Sequence, residues 1–352
     1  MSHPPVEWSC PSSARPRAPV VSPYVGALDG RNAGAHASRY TRGARPVFRS
    51  STAVWGNFVI KLILSDLDNT LAWAGEHVVT PYAREAIHAA QAAGVHFAPA
   101  TGRAPSALPW MFENDTACLT TVLADNGQLI YQDGKLVHEV PLDLGALRRC
   151  ARSLDGMDDA WLVLDYVDTG EQYAVRASAD YLEKYRVPYF FAVAGTVDEV
   201  PDRPVVKANV RVVGDFVRGR EVRAVLKESC PEFDFVFPMQ ERPHIDILPA
   251  GWDKGVAGEW LAHNLGLSND EVCCFGDAEN DLPLLTRFKN SVAVANATPV
   301  AAGAARWHIG RADQDAVADA IFDIARSTAA GEMPSFMRGE DAASASDKRS
   351  SR

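Results

Sequence analysis

An apolar run, Phe58-Val-Ile-Lys-Leu-Ile-Leu64, stops at Ser65-Asp-Leu-Asp-Asn-Thr-Leu71. Far down the chain a second one, Val272-Cys-Cys-Phe275, stops at Gly276-Asp-Ala-Glu-Asn-Asp281. Runs rich in Val, Ile and Leu that end in Asp, Asn or Gly read as buried strands meeting loops. Open α/β sheets gather their ligands outside the carboxyl ends of such strands. Two carboxylates placed there, Asp66 and Asp68, can hold a hard cation, and one of them can attack phosphorus as an aspartyl nucleophile. Taken alone, an Asp-x-Asp pair caps a turn about as often as it does chemistry. The rest of the chain has to decide.

Between the two runs the pattern alternates, then changes, then alternates again. Thr80-Pro81 reads as an N-cap with Pro at the first helical position, and its helix stops at Gly94. Strands over 95–100 and 121–124 end in Thr101-Gly102-Arg103 and Asp125-Asn126-Gly127. This strand–helix–strand order predicts a parallel sheet with helical crossovers. From 128 the reading becomes a hairpin, then helices over 144–154, 179–185 and 216–228 among strands at 161–167, 172–176, 205–213, 234–238 and 244–248. Hairpins with interspersed helices describe an antiparallel α+β unit. From Lys254 the first pattern returns, with helices over 254–265, 281–287 and 314–325 and strands over 272–275 and 291–294. The expected division is a disordered extension over 1–57, a discontinuous core over 58–127 and 246–330, an inserted cap over 128–245, and a disordered tail over 331–352.

Charge narrows the partners. The 352-residue chain carries a net −10, which argues against a general nucleic-acid or anionic-membrane binder. Residues 1–57 hold seven Arg, no Lys and only two acids, so they sit at +5 and the remainder at −15. An anionic substrate therefore needs local positive charge from a metal, a Lys or main-chain N–H groups. The six Cys have neither zinc nor disulfide spacing and read as small core hydrophobes in a reducing, cytoplasmic setting. No apolar stretch is long enough for a membrane span. The Arg- and Ser-rich start has the composition of an organellar transit peptide, of a dispensable extension, or of a translation start placed too far upstream.

Four strings then fall at strand ends or helix starts in the two core segments: Asp66-Leu-Asp68-Asn-Thr70, Thr101, Lys254, and Gly276-Asp277-Ala-Glu-Asn280-Asp281. A threonine hydroxyl can donate to a phosphoryl oxygen. A lysine opening a helix is a cation beside free N–H groups, which favour anions. Each string alone has a bland reading as a strand exit, a solvated side chain or a helix cap. Together and in this order, chance is a poor explanation.

The constellation resembles the haloacid dehalogenase (HAD) superfamily, and within it the Cof-type, class IIB members. Thr80-Pro81, Glu85-Ala-Ile87, Thr101-Gly-Arg103, Asn126-Gly127, Asp253-Lys-Gly255 and Asn296-Ala-Thr-Pro299 add to the likeness. The resemblance implies an α/β fold: a Rossmann-like parallel-sheet core with an inserted α+β, C2B-type cap. It implies an Mg²⁺-dependent phosphatase that acts on small phosphomonoesters, either sugar phosphates or phosphorylated cofactors. In that scheme Asp66 forms an aspartyl-phosphate, and Asp68 protonates the leaving alcohol and then activates water. Thr101 and Lys254 bind the phosphoryl oxygens, with Gly102, Arg103 and Asn280 as further phosphate or substrate contacts. Asp66, the Asp68 carbonyl and Asp277 hold Mg²⁺, and Asp281 supports them. Asn69 stands where Gly is usual in the family, and Asn is the side chain that best tolerates left-handed backbone angles.

Substrate choice falls to the cap. Alternation in Val205-Val-Lys-Ala-Asn-Val-Arg-Val-Val213 puts Lys207, Asn209 and Arg211 on one strand face. That face contacts an anionic substrate if it looks towards the core, and is a solvated sheet face otherwise. His244 and Asp246 receive no role. The implied partner is a small phosphorylated metabolite, with no nucleic acid or membrane; the oligomeric state is left open. A phosphotransferase such as a phosphomutase, or a phospho-ligand-binding module without turnover, are the competing readings.

Overall fold

The computed structural model describes residues 59–338, apart from 74–76, 167–168, 170 and 179–192. The expected N-terminal extension, the helix expected over 179–185 and the end of the expected tail lie outside the described residues.

The first apolar run forms β1 (Leu62–Ser65), the second β12 (Val272–Gly276), and the two pair in parallel. β2 (His96–Pro99) flanks β1 on its other side. Beyond β12 follow β13 (Asn290–Ala293) and β14 (Trp307–His308), so the sheet runs β14-β13-β12-β1-β2, all parallel. Alternation along β1 sends Ile63 into one apolar layer and Leu62 and Leu64 into the other. Helices α1 (Pro81–Ala92) and α8 (Ala316–Ala330) supply Ile87, Ile321 and Ile324 to the first layer. Helices α5 (Lys254–Asn264) and α6 (Leu282–Arg287) supply Leu261, Leu284 and Leu285 to the second, while the short α2 (Leu108–Met111) adds Met111 to the first and α7 (Pro299–Ala304) adds Ala301 to the second. Truncating any of these fully buried Leu, Ile or Met side chains to Ala would cost about 2–5 kcal/mol. The expected cap on α1 is present: the Thr80 hydroxyl accepts the Ala83 N–H at 3.1 Å. Among the described residues, no helix is long and apolar enough to cross a membrane.

A second sheet has the order β10-β11-β9-β6-β7-β8. Its strands are β6 (Ala160–Tyr166), β7 (Glu171–Val175), β8 (Gly195–Val197), β9 (Lys207–Val212), β10 (Phe233–Val236) and β11 (Ile245–Pro249). All its pairings are antiparallel except β7–β8. Helices α3 (Leu144–Ser153) and α4 (Phe216–Ser229) bury Leu147, Cys150, Val222 and Leu226 against Leu162, Leu164, Val210 and Ile247. Period-two alternation then leaves Asp165, Lys207, Asn209, Arg211 and Asp246 on the face away from these helices.

The chain crosses between the two units at places other than those expected. β4 (Leu129–Gln132) and β5 (Lys135–Glu139) form an antiparallel sheet with β3 (Val122–Ala124), which meets the end of β2 through a parallel bridge from Leu123 to Ala100. Leu129 and Ile130 enter the two layers around the parallel sheet, and His138 stacks on Trp260 of α5 at 4.7 Å. This hairpin sits on the core, although the expected cap began at 128. Conversely the boundary expected at 246 cuts through β11, the strand expected over 244–248, which lies wholly inside the second sheet. The last expected boundary shifts too: α8 runs on to Ala330, Met337 is buried, and the Ser335 hydroxyl donates to Asp323 at 2.8 Å. Residues 331–338 therefore pack against the core instead of trailing from it.

Candidate active site

β1 is where the chain order in the parallel sheet reverses, because β2 lies to one side and β12 to the other. Crevices form at such switch points, outside the carboxyl ends of the strands. Asp66 leaves β1 there, with its N–H donated to the Phe275 carbonyl of β12 at 3.0 Å, and Asp277 follows β12.

Lys254 opens α5, whose first turn is capped by Asp253 accepting the Val256 N–H at 2.8 Å. Its fully buried ammonium donates to Asp66 Oδ1 at 2.6 Å and to Asp281 Oδ1 at 2.7 Å. The other Asp281 oxygen accepts the N–H groups of Asp277 at 3.0 Å and Ala278 at 3.1 Å. Both Asp281 oxygens are thereby engaged, so this residue braces Lys254 and the Asp277 loop.

That brace needs Gly276. A Cβ there would fall 2.5 Å from the Asp281 Cβ. We expect Gly276→Ala to push Asp281 aside and cost roughly 1–3 kcal/mol of stability, read as a lower denaturation midpoint. A midpoint equal to wild type would mean the loop has slack that this packing denies it.

Electrostatics single out the same group. Burial, reinforced by Asp281, raises the Asp66 carboxyl to about 7 although Lys254 pulls it down. Burial, then Asp281 and Asp66, raise Asp277 to about 9. Burial lowers Lys254, but the two carboxylates outweigh it and hold the amine above its ordinary value. Ligand atoms of Asp66, Asp277 and Asp281 all lie within 4.8 Å of one another. Three acids against one lysine leave negative charge uncompensated, and the donor set is hard oxygen, which fits a hard divalent cation. With Asp281 engaged elsewhere, Asp66 and Asp277 are the carboxylates able to hold one. Among the described residues the Asp277 carboxylate accepts only long hydrogen bonds, 3.3 Å each, from the Thr70 hydroxyl and the Gln240 amide.

Asp68 is gripped by Arg103 in a two-point contact, Nε to Oδ2 at 2.7 Å and Nη2 to Oδ1 at 2.6 Å. Asn69 has φ +60, the left-handed backbone anticipated for it, and its carbonyl accepts the Asn296 amide at 2.8 Å. Thr101 is buried at the end of β2, and its hydroxyl accepts the Arg103 N–H at 3.1 Å. Asn280 turns its amide nitrogen to Asn126 Oδ1 at 3.2 Å, and Asn126 in turn donates to Asp246 at 2.7 Å.

The three cap candidates part company. Lys207 reaches the main-chain carbonyl of Gly102, with Asp125 at 3.5 Å and Asp246 at 3.9 Å. Asn209 is buried, opposite Asp246 in the β9–β11 register. Arg211 donates to Gln172 at 2.5 Å. Several groups around the site escaped the sequence reading. Gln240, which reaches Asp277, and Glu241, which accepts the Asn69 amide at 3.3 Å, come from a cap loop with no recognisable pattern. Asp246 did leave a signal, a carboxylate inside the apolar string Ile245-Asp-Ile-Leu248.

Comparisons with known proteins point the same way. The family described as haloacid dehalogenase-like hydrolase matches residues 63–321. The phosphatase-named YxeH of Bacillus subtilis (strain 168) is 28% identical over 278 residues, spanning 75% of this chain and 98% of that protein. SMU.1108c from Streptococcus mutans UA159 superposes with a TM-score of 0.66 at 21% identity, covering 74% of this chain and 97% of that one. BT4131, a sugar phosphatase of HAD subclass IIB, superposes with a TM-score of 0.60 at 19% identity, covering 74% and 97%.

Proposed function

The chain belongs to the haloacid dehalogenase-like hydrolases and is a phosphatase, and from that premise we propose that it hydrolyses small phosphomonoesters, sugar phosphates or phosphorylated cofactors, in an Mg²⁺-dependent reaction. The observation that carries this reading is the buried Lys254 ammonium, 2.6 Å from Asp66 and 2.7 Å from Asp281 at the switch point of the sheet. It leaves Asp66 Oδ2 as the attacking atom. The Asp66–phosphorus bond forms as the bond to the leaving oxygen breaks, and Asp68 gives that oxygen a proton. Asp68 then takes a proton from water, which attacks phosphorus and restores Asp66. Thr101, Gly102 and Lys254 bind the phosphoryl oxygens, while Asn280 and Asp281 keep the loop around Asp277 in place. Mg²⁺, held by Asp66, the Asp68 carbonyl and Asp277, supplies charge that offsets repulsion between nucleophile and phosphate.

Residues 142–249 form the cap in this reading, and 60–141 with 250–338 the core. Beside Asp277 a cavity of about 310 Å³ is lined by Phe216, Arg220, Arg223, Phe237, Gln240 and Glu279. It offers the rest of the substrate both apolar and cationic contacts. The deciding experiment is phosphate release from a broad set of phosphorylated metabolites, with and without Mg²⁺. Release from none of them by the wild-type protein in Mg²⁺ would overturn the proposal.

The raised carboxyls also give the metal a pH signature. A carboxyl whose folded pKa stands above its ordinary 3.8 stabilises the fold fully below that value and loses this contribution as pH rises through the folded pKa. With Asp66 raised from 3.8 to about 7 and Asp277 from 3.8 to about 9, the metal-free protein should lose stability as pH climbs from 3.8 to about 7 through both groups, and on to about 9 through Asp277. A cation competes with those protons. We therefore expect Mg²⁺ to raise the melting temperature more at about pH 8 than at about pH 5.5, and EDTA to cancel the gain. Equal gains at both pH values would argue that the ion binds elsewhere.

A further inference from the structure

Lys207 opens β9 on the helix-free face of the cap sheet, yet its side chain is only 12% exposed. Three carboxylates surround it. Asp125 comes from the core loop after β3, Asp246 from β11, and Asp165 stands opposite it across the β6–β9 ladder. The ammonium also donates to the Gly102 carbonyl, in the middle of the Thr101–Arg103 loop. Taking a lysine out of water is unfavourable without such partners.

Gly102 is confined on its other side. A Cβ there would lie 3.2 Å from both Asn126 Oδ1 and Asp246 Oδ2. The Asn126–Asp246 hydrogen bond closes this wall. The peptide that follows turns its N–H back to the Thr101 hydroxyl, and the Arg103 side chain beyond it grips Asp68. One cap side chain thus fixes the peptide from which both Thr101 and Arg103 are hung.

We propose that Lys207 is a positioning residue for phosphoryl transfer: by holding the Gly102 carbonyl, it sets the Thr101–Arg103 loop in its phosphate-binding form only while the cap is seated on the core. It does not touch the substrate. The inference rests on the phosphatase reading above, with Thr101 and Gly102 as phosphate contacts.

The test uses para-nitrophenyl phosphate as substrate and orthovanadate as a phosphoryl mimic, each with Mg²⁺ and the full chain. Lys207→Met should lower kcat per folded molecule roughly 10- to 100-fold, as a small misplacement of binding groups does, and should weaken vanadate by a similar factor. A purely structural role would lower the melting temperature and leave both untouched. Because the single variant strands Asp125 and can unfold the protein, it is paired with Lys207→Met/Asp125→Asn. Asn suits the left-handed φ of +50 at that position. The double variant should regain melting temperature while kcat and vanadate affinity stay low. Recovery of both with stability, or a wild-type kcat in Lys207→Met, would overturn the inference. Wild-type protein that binds vanadate but hydrolyses no ester would count against the phosphatase reading instead. The vanadate comparison between variants would still be readable.

Discussion

Asp66→Asn should reduce phosphate release by about 10³-fold or more, the scale seen when a nucleophile is removed. The same protein should melt at or above the wild-type temperature. The two expectations come from one piece of geometry. Asn keeps the shape, keeps the main-chain bond to Phe275, and still offers Lys254 an oxygen where Asp66 Oδ1 now stands 2.6 Å away. What disappears is a negative charge in a site that holds three acids against one lysine, so the fold is relieved while the attacking atom is lost. Phosphate release and a thermal melt on one preparation decide it. A variant that retains wild-type turnover would remove Asp66 from the role of nucleophile. An inactive variant that has also lost its fold would show that the charge is structural.

Lys254→Met should be costly in both respects. The lysine is fully buried and is the shared ion-pair partner of Asp66 and Asp281. Removing one partner of a buried ion pair leaves an uncompensated charge, at about 3–5 kcal/mol. The denaturation midpoint should fall with little change in slope, as for a pure stability effect. Adding Asp281→Asn should restore part of that loss, because an amide oxygen can still accept the N–H groups of Asp277 and Ala278. Activity should not return, since nothing then holds Asp66 Oδ1. Full stability in Lys254→Met would mean that water reaches the two carboxylates, contrary to their burial.

The residues that carry the site were legible because strand ends leave little freedom. Asp66, Thr101, Lys254 and Asp277 each sit where an apolar run stops or a helix begins, and a period of two or 3.6 locates such points well. The cap strands were legible for the same reason, β6 being read at 161–167 and found at Ala160–Tyr166. Where one unit ends and the next begins was not. The alternation in Leu129–Gln132 is equally at home in a core hairpin or a cap strand, and only its burial against α5 separates them. β11 was read among the antiparallel strands, where it lies, but the boundary drawn at 246 cut through it, because an apolar strand does not announce where its unit ends. Trp307–His308 is too short to show any period. Alternation correctly put Lys207, Asn209 and Arg211 on one face but could not tell where the ammonium would end. That depended on Asp125 and Gly102, both far away in sequence and each ordinary in its own string.

The junction between the two sheets has an unusual makeup. The apolar cluster under α3 and α4 shares no residue with either layer around the parallel sheet. Most of the contacts between the second sheet and the core are polar, through Lys207, Asp125, Asn126 and Asp246 and the Arg223–Glu279 ion pair at 2.5 Å, with Val206 as an apolar exception buried in the core's layer. An apolar seam resists parting by about 25 cal/mol for every Å² it must wet. A seam of charges and amides does not, because water solvates those groups as they separate. Parting the two halves would therefore wet little apolar surface beyond Val206, the cap residue buried in the core's layer, and hydration would make up for most of the contacts broken.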